Sequence, residues 1–215
     1  ASNVLKKYGQ PVNVYTDYQE MLDKEKDLDG VLIATPDIWH APHAIACLEA
    51  GLNVYCEKEM SNTIESAREM VVAQRKSGKL MQVGHQRRSN PRYKHAKRML
   101  HKEKIAGRIT TMNGQWNRPV QEPLGWPDKP EYMISDETLK KYGYDSMEQF
   151  RNWRWYKKYA GGPICDLGSH QIDIFSWVFG TDPKSVYATG GTDYWKGKNQ
   201  WEWHDNVLSI FEYEN

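Results

Sequence analysis

The stretch Asp29-Gly30-Val31-Leu32-Ile33-Ala34-Thr35-Pro36 decides the fold. Asp29-Gly30 is turn chemistry, and the apolar residues after it form a continuous run of the kind buried on both faces of a parallel sheet. Downstream the theme repeats. A helix from Ala41 to Ala50 closes at Gly51, a strand covers Leu52 to Cys56, an amphipathic helix runs from Thr63 to Lys76, and Leu80 to Gly84 makes one more strand. Upstream, Val12 to Tyr15 reads as a short strand, Asp17 as the cap of a helix to Lys26, and residues 1–8 as the tail of another helix. Strand and helix in strict alternation at these intervals predict a doubly wound parallel sheet. Ligands of such sheets sit beyond the carboxyl ends of the strands, which here are the loops Thr35 to His40, Glu57 to Met60 and His85 to Asn90.

Past these loops the pattern changes. Asn90-Pro91 starts a helix, residues 108–117 alternate as a strand, and residues 118–159 form a long stretch rich in Pro, Trp and Tyr, the length of a lid or an insertion. A helix then opens behind Gly161-Gly162 and ends at Phe179-Gly180, followed by strands over Val186 to Tyr194 and Asn206 to Tyr213. The fold class expected is therefore α/β. A partial Rossmann-type doubly wound parallel sheet occupies residues 1–89, and an α+β domain with a large, mostly antiparallel sheet, incomplete here, occupies residues 90–215. On the helix after Gly161, Asp166, His170, Asp173 and Trp177 follow at intervals of four, three and four, so they share one stripe while Leu167, Ile172, Ile174, Phe175 and Val178 supply apolar surface. That stripe faces either water or a cleft.

Composition narrows the function. A formal net charge of +1 gives no electrostatic ground for nucleic acid or an anionic membrane as partner, and no apolar run reaches the length of a membrane span. Three cysteines, Cys47, Cys56 and Cys165, without a Cys-x-x-Cys pair read as small reduced hydrophobes. Asp166, His170 and Asp173 have a spacing a metal could use, but one histidine among them favours a site without metal. Nine Trp and thirteen Tyr against four Phe suit carbohydrate rings or an interface, each offering a flat apolar face with a polar edge. Lys58, directly after a buried strand, is placed to orient a substrate hydroxyl.

Four motifs in this order, Val31-Leu32-Ile33-Ala34-Thr35-Pro36 with His40, Glu57-Lys58, Gln82-Val83-Gly84-His85-Gln86-Arg87-Arg88, and Gly161-Gly162 with Asp166-x-Gly168-x-His170, resemble those of the Gfo/Idh/MocA oxidoreductases. The resemblance spans nearly the whole chain. It implies a two-domain enzyme using NAD or NADP to oxidise a secondary hydroxyl of a sugar, inositol or glycoside. Lys58 matches the lysine of a Glu-Lys-Pro motif, and Asp166 and His170 match the family's Asp and His, with His170 as general base. Thr35, Pro36, His40, Glu57 and Lys58 fall where the family touches the dinucleotide, and Arg87 where members touch substrate. Trp116, Asn117, Arg118, Arg154 and Trp155 are further substrate-side candidates. Alternatives within the resemblance are a glycoside-cleaving enzyme that retains NAD and a non-catalytic sugar-binding relative.

Two departures stand out. Glu59 occupies the place of the motif proline, and no G-x-G-x-x-G precedes Val12. The expectation is an internal segment of a longer enzyme, cut at both ends and inactive alone, with the choice between NAD and NADP outside it. The partners expected are a small carbohydrate and a second copy of the chain through the second-domain sheet. The compartment stays open between cytoplasm, the default, and periplasm.

Overall fold

The computed structural model describes residues 7–9, 12–119, 122–197 and 201–214. The expected helix tail over residues 1–8 lies almost wholly outside them. Helix α1 (Tyr18–Lys24) is capped by Asp17, whose carboxylate accepts the Gln19 N–H at 2.9 Å. Three parallel strands follow, β1 (Gly30–Ile33), β2 (Asn53–Glu57) and β3 (Met81–Gly84), in the order β1-β2-β3. Ile33 pairs with Cys56, and Glu57 with Gly84. Helices α2 (Asp37–Glu49) and α3 (Ile64–Ser77) make the crossovers; Thr63 caps α3 and Gly78 ends it at φ 67°.

One face of this sheet is closed by Ile33, Val54, Cys56, Ala44, Leu48, Met70 and Ala73, which form the first core. The other face is bare: Leu32 is 69 % exposed. The apolar run of β1 was expected to be buried on both sides, and helices cover only one of them among the described residues. α2 begins at Asp37, four residues before its expected start, which places Asp37 and His40 in its first turn, both buried.

After a 3₁₀ turn (Gln86–Ser89) comes α4 (Pro91–His101), started as expected by Asn90 and Pro91. Short helices α5 (Asp136–Lys141) and α6 (Met147–Arg151) lie within the irregular stretch, capped by Ser135 and Ser146. The helix behind Gly161-Gly162 opens as a wide π-helical turn (Ile164–Gly168) and continues as α7 (Ser169–Phe179), ending at Gly180 with φ 75°. Strands β4 (Ser185–Gly191) and β5 (Asn206–Glu212) pair antiparallel, Ser185 with Glu212 and Gly191 with Asn206.

Three strand expectations are corrected. Residues 12–15 join no ladder; Asn13 and Tyr15 instead both donate side-chain hydrogen bonds of 2.6 Å to Glu25 at the end of α1. Residues 108–117 are also in no ladder. This segment crosses α7 as a single extended strip, with Gly114 so close that a Cβ there would lie 2.7 Å from Gln171 and 2.9 Å from Phe175. Gln171 donates to the Gln115 carbonyl at 3.2 Å, a bond that takes the place of a strand partner. The large antiparallel sheet is therefore two strands among the described residues. Tyr144, Tyr156, Tyr159, Trp195 and Trp201 form a second core with Leu139 and Met147.

Candidate active site

The carboxyl ends of β1 and β2 and the π-helical turn before α7 meet at Lys58. Its ammonium donates hydrogen bonds to the Asp166 carbonyl and, at 3.4 Å, to the Glu59 carboxylate, and forms an ion pair with the Asp166 carboxylate at 3.5 Å. The side chain is only 12 % exposed. Arg154, from the 3₁₀ turn Trp153–Trp155, reaches the same Asp166 oxygen at 3.4 Å and lies over the Trp153 ring. The Lys58–Glu59 peptide bond is cis.

Behind Lys58 stand two acids. The Asp37 carboxyl, at the first turn of α2, is pushed up to about 6 by burial, with Asp166 adding to the rise and Lys58 and Arg154 opposing it; it accepts the Gly161 N–H. Burial also pushes Glu59 up to about 6, with Asp37 adding and Lys58 opposing. The thiol of Cys165, against Glu59, is raised to about 12, again mainly by burial. Sequence reasoning did not mark Asp37. Its only signal was position, an acid immediately after Thr35-Pro36 at a helix start.

One turn along, His170 is 7 % exposed and stacks on Trp116 with ring centroids 5.4 Å apart. Burial lowers its pKa, and Lys58, Arg87 and His85 lower it further against the opposing pull of Asp166. Among the described residues nothing hydrogen-bonds its ring nitrogens, so the neutral imidazole has a lone pair to offer. Arg87 lies over Trp116 at 5.0 Å and bonds the Tyr93 hydroxyl; Arg118 covers Trp116 at 5.6 Å.

The remaining expected residues divide. Thr35 presents its carbonyl to His40 Nε2 at 2.8 Å, and His40 Nδ1 meets the Glu59 carbonyl, so His40 fastens the Thr35 loop to the Lys58 loop from beneath. Pro36 caps α2, and Glu57 ends β2 beside the Tyr55 hydroxyl at 3.4 Å. Asn117 is exposed. Trp155 is not brought to the cleft: its face is taken by Trp201, 4.3 Å away at 3°, in the second core. The expected stripe splits in two. Asp166 and His170 go to Lys58 and Trp116, whereas Asp173 binds Arg88 at 2.8 Å and Trp177 lies under Lys97 and Arg88, pinning α7 to α4 and the turn before it.

Several buried polar atoms here have no protein partner: Glu59 Oε2, His85 Nδ1, Ser169 Oγ and Gln171 Oε1. With no G-x-G-x-x-G in the chain, no residue is assigned to a pyrophosphate. Among the described residues no group of three His, Cys, Asp or Glu is arranged for a metal ion, and no helix is long and apolar enough to cross a membrane.

Comparison with known proteins places these features. The chain is similar to inositol 2-dehydrogenase 2 of Saccharopolyspora erythraea, 29% identical over 203 residues that make up 94% of this chain and 49% of that protein. It is 31% identical to D-glucoside 3-dehydrogenase of Escherichia coli K12, covering 87% of this chain and 46% of the relative. Among solved structures, myo-inositol 2-dehydrogenase from Lactobacillus plantarum superposes with a TM-score of 0.67 at 24% identity, covering 92% of this chain and 50% of the other. WlbA dehydrogenase from Bordetella pertussis, solved with NADH and UDP-GlcNAcA, gives 0.69 at 23% identity, covering 96% and 51%. The chain spans about half the length of the curated relatives it matches. Residues 1–85 match the family described as "Oxidoreductase family, NAD-binding Rossmann fold", and residues 93–215 match the "GFO/IDH/MocA C-terminal domain". On those two matches, which together take in nearly every residue, the chain belongs to the Gfo/Idh/MocA oxidoreductase family.

Proposed function

We propose that this chain carries the catalytic centre of an NAD(P)-dependent dehydrogenase acting on a secondary hydroxyl of a sugar, inositol or glycoside. The observation that carries the reading is the convergence of Lys58, Asp166 and an imidazole with free ring nitrogens, His170, where the strand ends meet the second core. The dehydrogenase relatives, which act on inositol and D-glucoside, support the substrate class. NAD or NADP, when bound, supplies the hydride acceptor; Thr35, Pro36 and Glu57 would hold its nicotinamide side, with His40 supporting their loops from below.

The residues then divide the work. Lys58 donates a hydrogen bond to the reacting hydroxyl oxygen and stabilises negative charge as it develops there. His170, kept neutral by burial and the surrounding cations, takes the O–H proton while the C–H hydrogen leaves as hydride and the carbon becomes a carbonyl. Asp166 orients Lys58 and, with Arg154, binds neighbouring hydroxyls. Trp116, stacked on His170 and covered by Arg87 and Arg118, holds the imidazole in place beside two guanidinium groups that can bond substrate hydroxyls. Association of two copies through the bare apolar side chains of β4 and β5, Tyr187, Leu208 and Ile210 among them, belongs to the same reading.

The test is His170→Ala in the full-length protein, with inositols and glucosides as substrates and reduced-nicotinamide absorbance as readout. Turnover falls by about 10²- to 10⁴-fold, the usual worth of a general base, while reduced-cofactor fluorescence on binding persists. Full turnover in the variant removes His170 from the mechanism.

A further inference from the structure

Glu59 stands in place of the proline that the resemblance calls for, and its surroundings are unusual for a loop glutamate. Its side chain is 16 % exposed, Oε1 lies 3.4 Å from the Lys58 ammonium, and Oε2 is buried without a partner. Groups from every neighbouring element face it. Asp37 of α2 acts on it electrostatically, Cys165 and Asp166 come from the π-helical turn, and Arg154 stands behind Asp166. Its own carbonyl is held by His40.

Lys58 donates to the Asp166 carbonyl and to Glu59 and pairs with the Asp166 carboxylate, so a substrate hydroxyl arriving at the ammonium competes with these acceptors. The Asp166 carbonyl is fixed in the backbone, and the Asp166 carboxylate is also held by Arg154. That leaves Glu59 as the acceptor with no other side-chain donor of its own among Lys and Arg.

Building on the dehydrogenase reading, we propose that Glu59 is a positioning residue for Lys58: its carboxylate holds the ammonium at the cleft and returns it there after each substrate leaves. The same pair explains why a second acid is tolerated in this pocket. When Glu59 is ionised it pairs with Lys58, which favours that form, while Asp37 opposes it. Protonation of Glu59 loosens the hold, so the geometry of Lys58 depends on pH through this group.

Two measurements on the full-length protein test this. In the first, Glu59→Gln lowers kcat/KM by up to about 10²-fold, as a misplaced catalytic group does, while cofactor affinity by fluorescence stays within about threefold and Glu59→Asp restores part of the rate. The acid limb of log kcat/KM against pH, to which Glu59 contributes in the parent, becomes shallower in Glu59→Gln. An unchanged limb, or loss of cofactor affinity equal to the loss of rate, overturns the proposal.

The second measurement needs no turnover. Carboxyl ¹³C NMR follows Glu59 directly; its midpoint, pushed up to about 6 by burial, rises further in Lys58→Met and falls in Asp37→Asn. A midpoint insensitive to Lys58→Met overturns the positioning role whatever the enzyme's activity. A midpoint that moves as stated in a protein that reduces neither NAD nor NADP with any polyol keeps the Glu59–Lys58 pairing and refutes the dehydrogenase reading instead.

Discussion

Replacing Asp37 by asparagine isolates the electrostatic cost of the acid cluster. Asp37 is 7 % exposed and its carboxyl is raised from its ordinary 3.8 to about 6. A carboxyl whose folded pKa exceeds its unfolded one binds more protons in the folded state, so its contribution favours folding at low pH and is lost as pH rises through about 6. Some two pH units at about 1.4 kcal/mol each make the ionised group cost about 3 kcal/mol at pH 7 and nothing below its unfolded pKa. Asparagine keeps an oxygen for the Gly161 N–H and has no charge to bury. Asp37→Asn is therefore more stable than the parent at pH 7 by about 2 to 3 kcal/mol, and the difference closes toward pH 4. Urea unfolding followed by tryptophan fluorescence reads this as a midpoint shift of roughly 1 M at neutral pH, for m-values of 2 to 3 kcal/mol/M. A variant less stable than the parent at pH 7, or a gain that does not change with pH, refutes the reasoning.

Two further substitutions probe how α7 is held. Arg88→Met and Asp173→Asn, tested singly and together, reveal a coupling of about 1 kcal/mol in urea unfolding, modest because Arg88 is half exposed; zero coupling means the helix is pinned by Trp177 and Lys97 alone. Gly162→Ala destabilises by about 1 to 3 kcal/mol, because φ is 75° and a Cβ would sit 2.5 Å from the Trp203 ring. The loss is read in the same assay, with a change in Trp203 emission. An unchanged midpoint means that the chain reaches Gly162 in another conformation.

The parallel sheet was legible because its evidence is local: an apolar run, a turn before it and a glycine after each helix suffice to place β1 to β3 and the loops that leave them. Asp166 and His170 were marked by helical spacing and Lys58 by its place after a buried strand, their roles came from the resemblance, and the fold brings Lys58 and Asp166 into contact. What the pattern could not supply was partnership. Alternation over residues 108–117 predicts a strand, yet a strand exists only beside another, and here Gln171 and Phe175 of α7 take that place. The same limit applies to the helical stripe: spacing put Asp173 and Trp177 with His170, and only the packing of α4 against α7 shows that Arg88 and Lys97 claim them. Asp37 was invisible for a different reason. A helix-starting aspartate is ordinarily a solvated cap, and nothing in its neighbours in sequence announces that Gly161 and Glu59 will close over it.

The ties between the two cores also determine which substitutions report on chemistry. The Ile38 N–H bonds the Tyr159 carbonyl at 3.2 Å, and Asn62 bonds the Lys158 carbonyl at 2.9 Å. Both end on backbone oxygens, which no side-chain replacement in the cleft removes. His170 is not a member of the second core, so exchanging it leaves these ties in place; it does remove the stack on Trp116, which His170→Gln or His170→Asn separates from the loss of the proton acceptor. Lys58 is different, because its ammonium both serves the substrate and offsets Asp37, Glu59 and Asp166. In Lys58→Met, Asp37 and Glu59 keep their burial and lose a cation that opposes their rise, so they hold protons to higher pH. Activity loss in that variant has two origins, and only the one due to charge is relieved by adding Asp37→Asn.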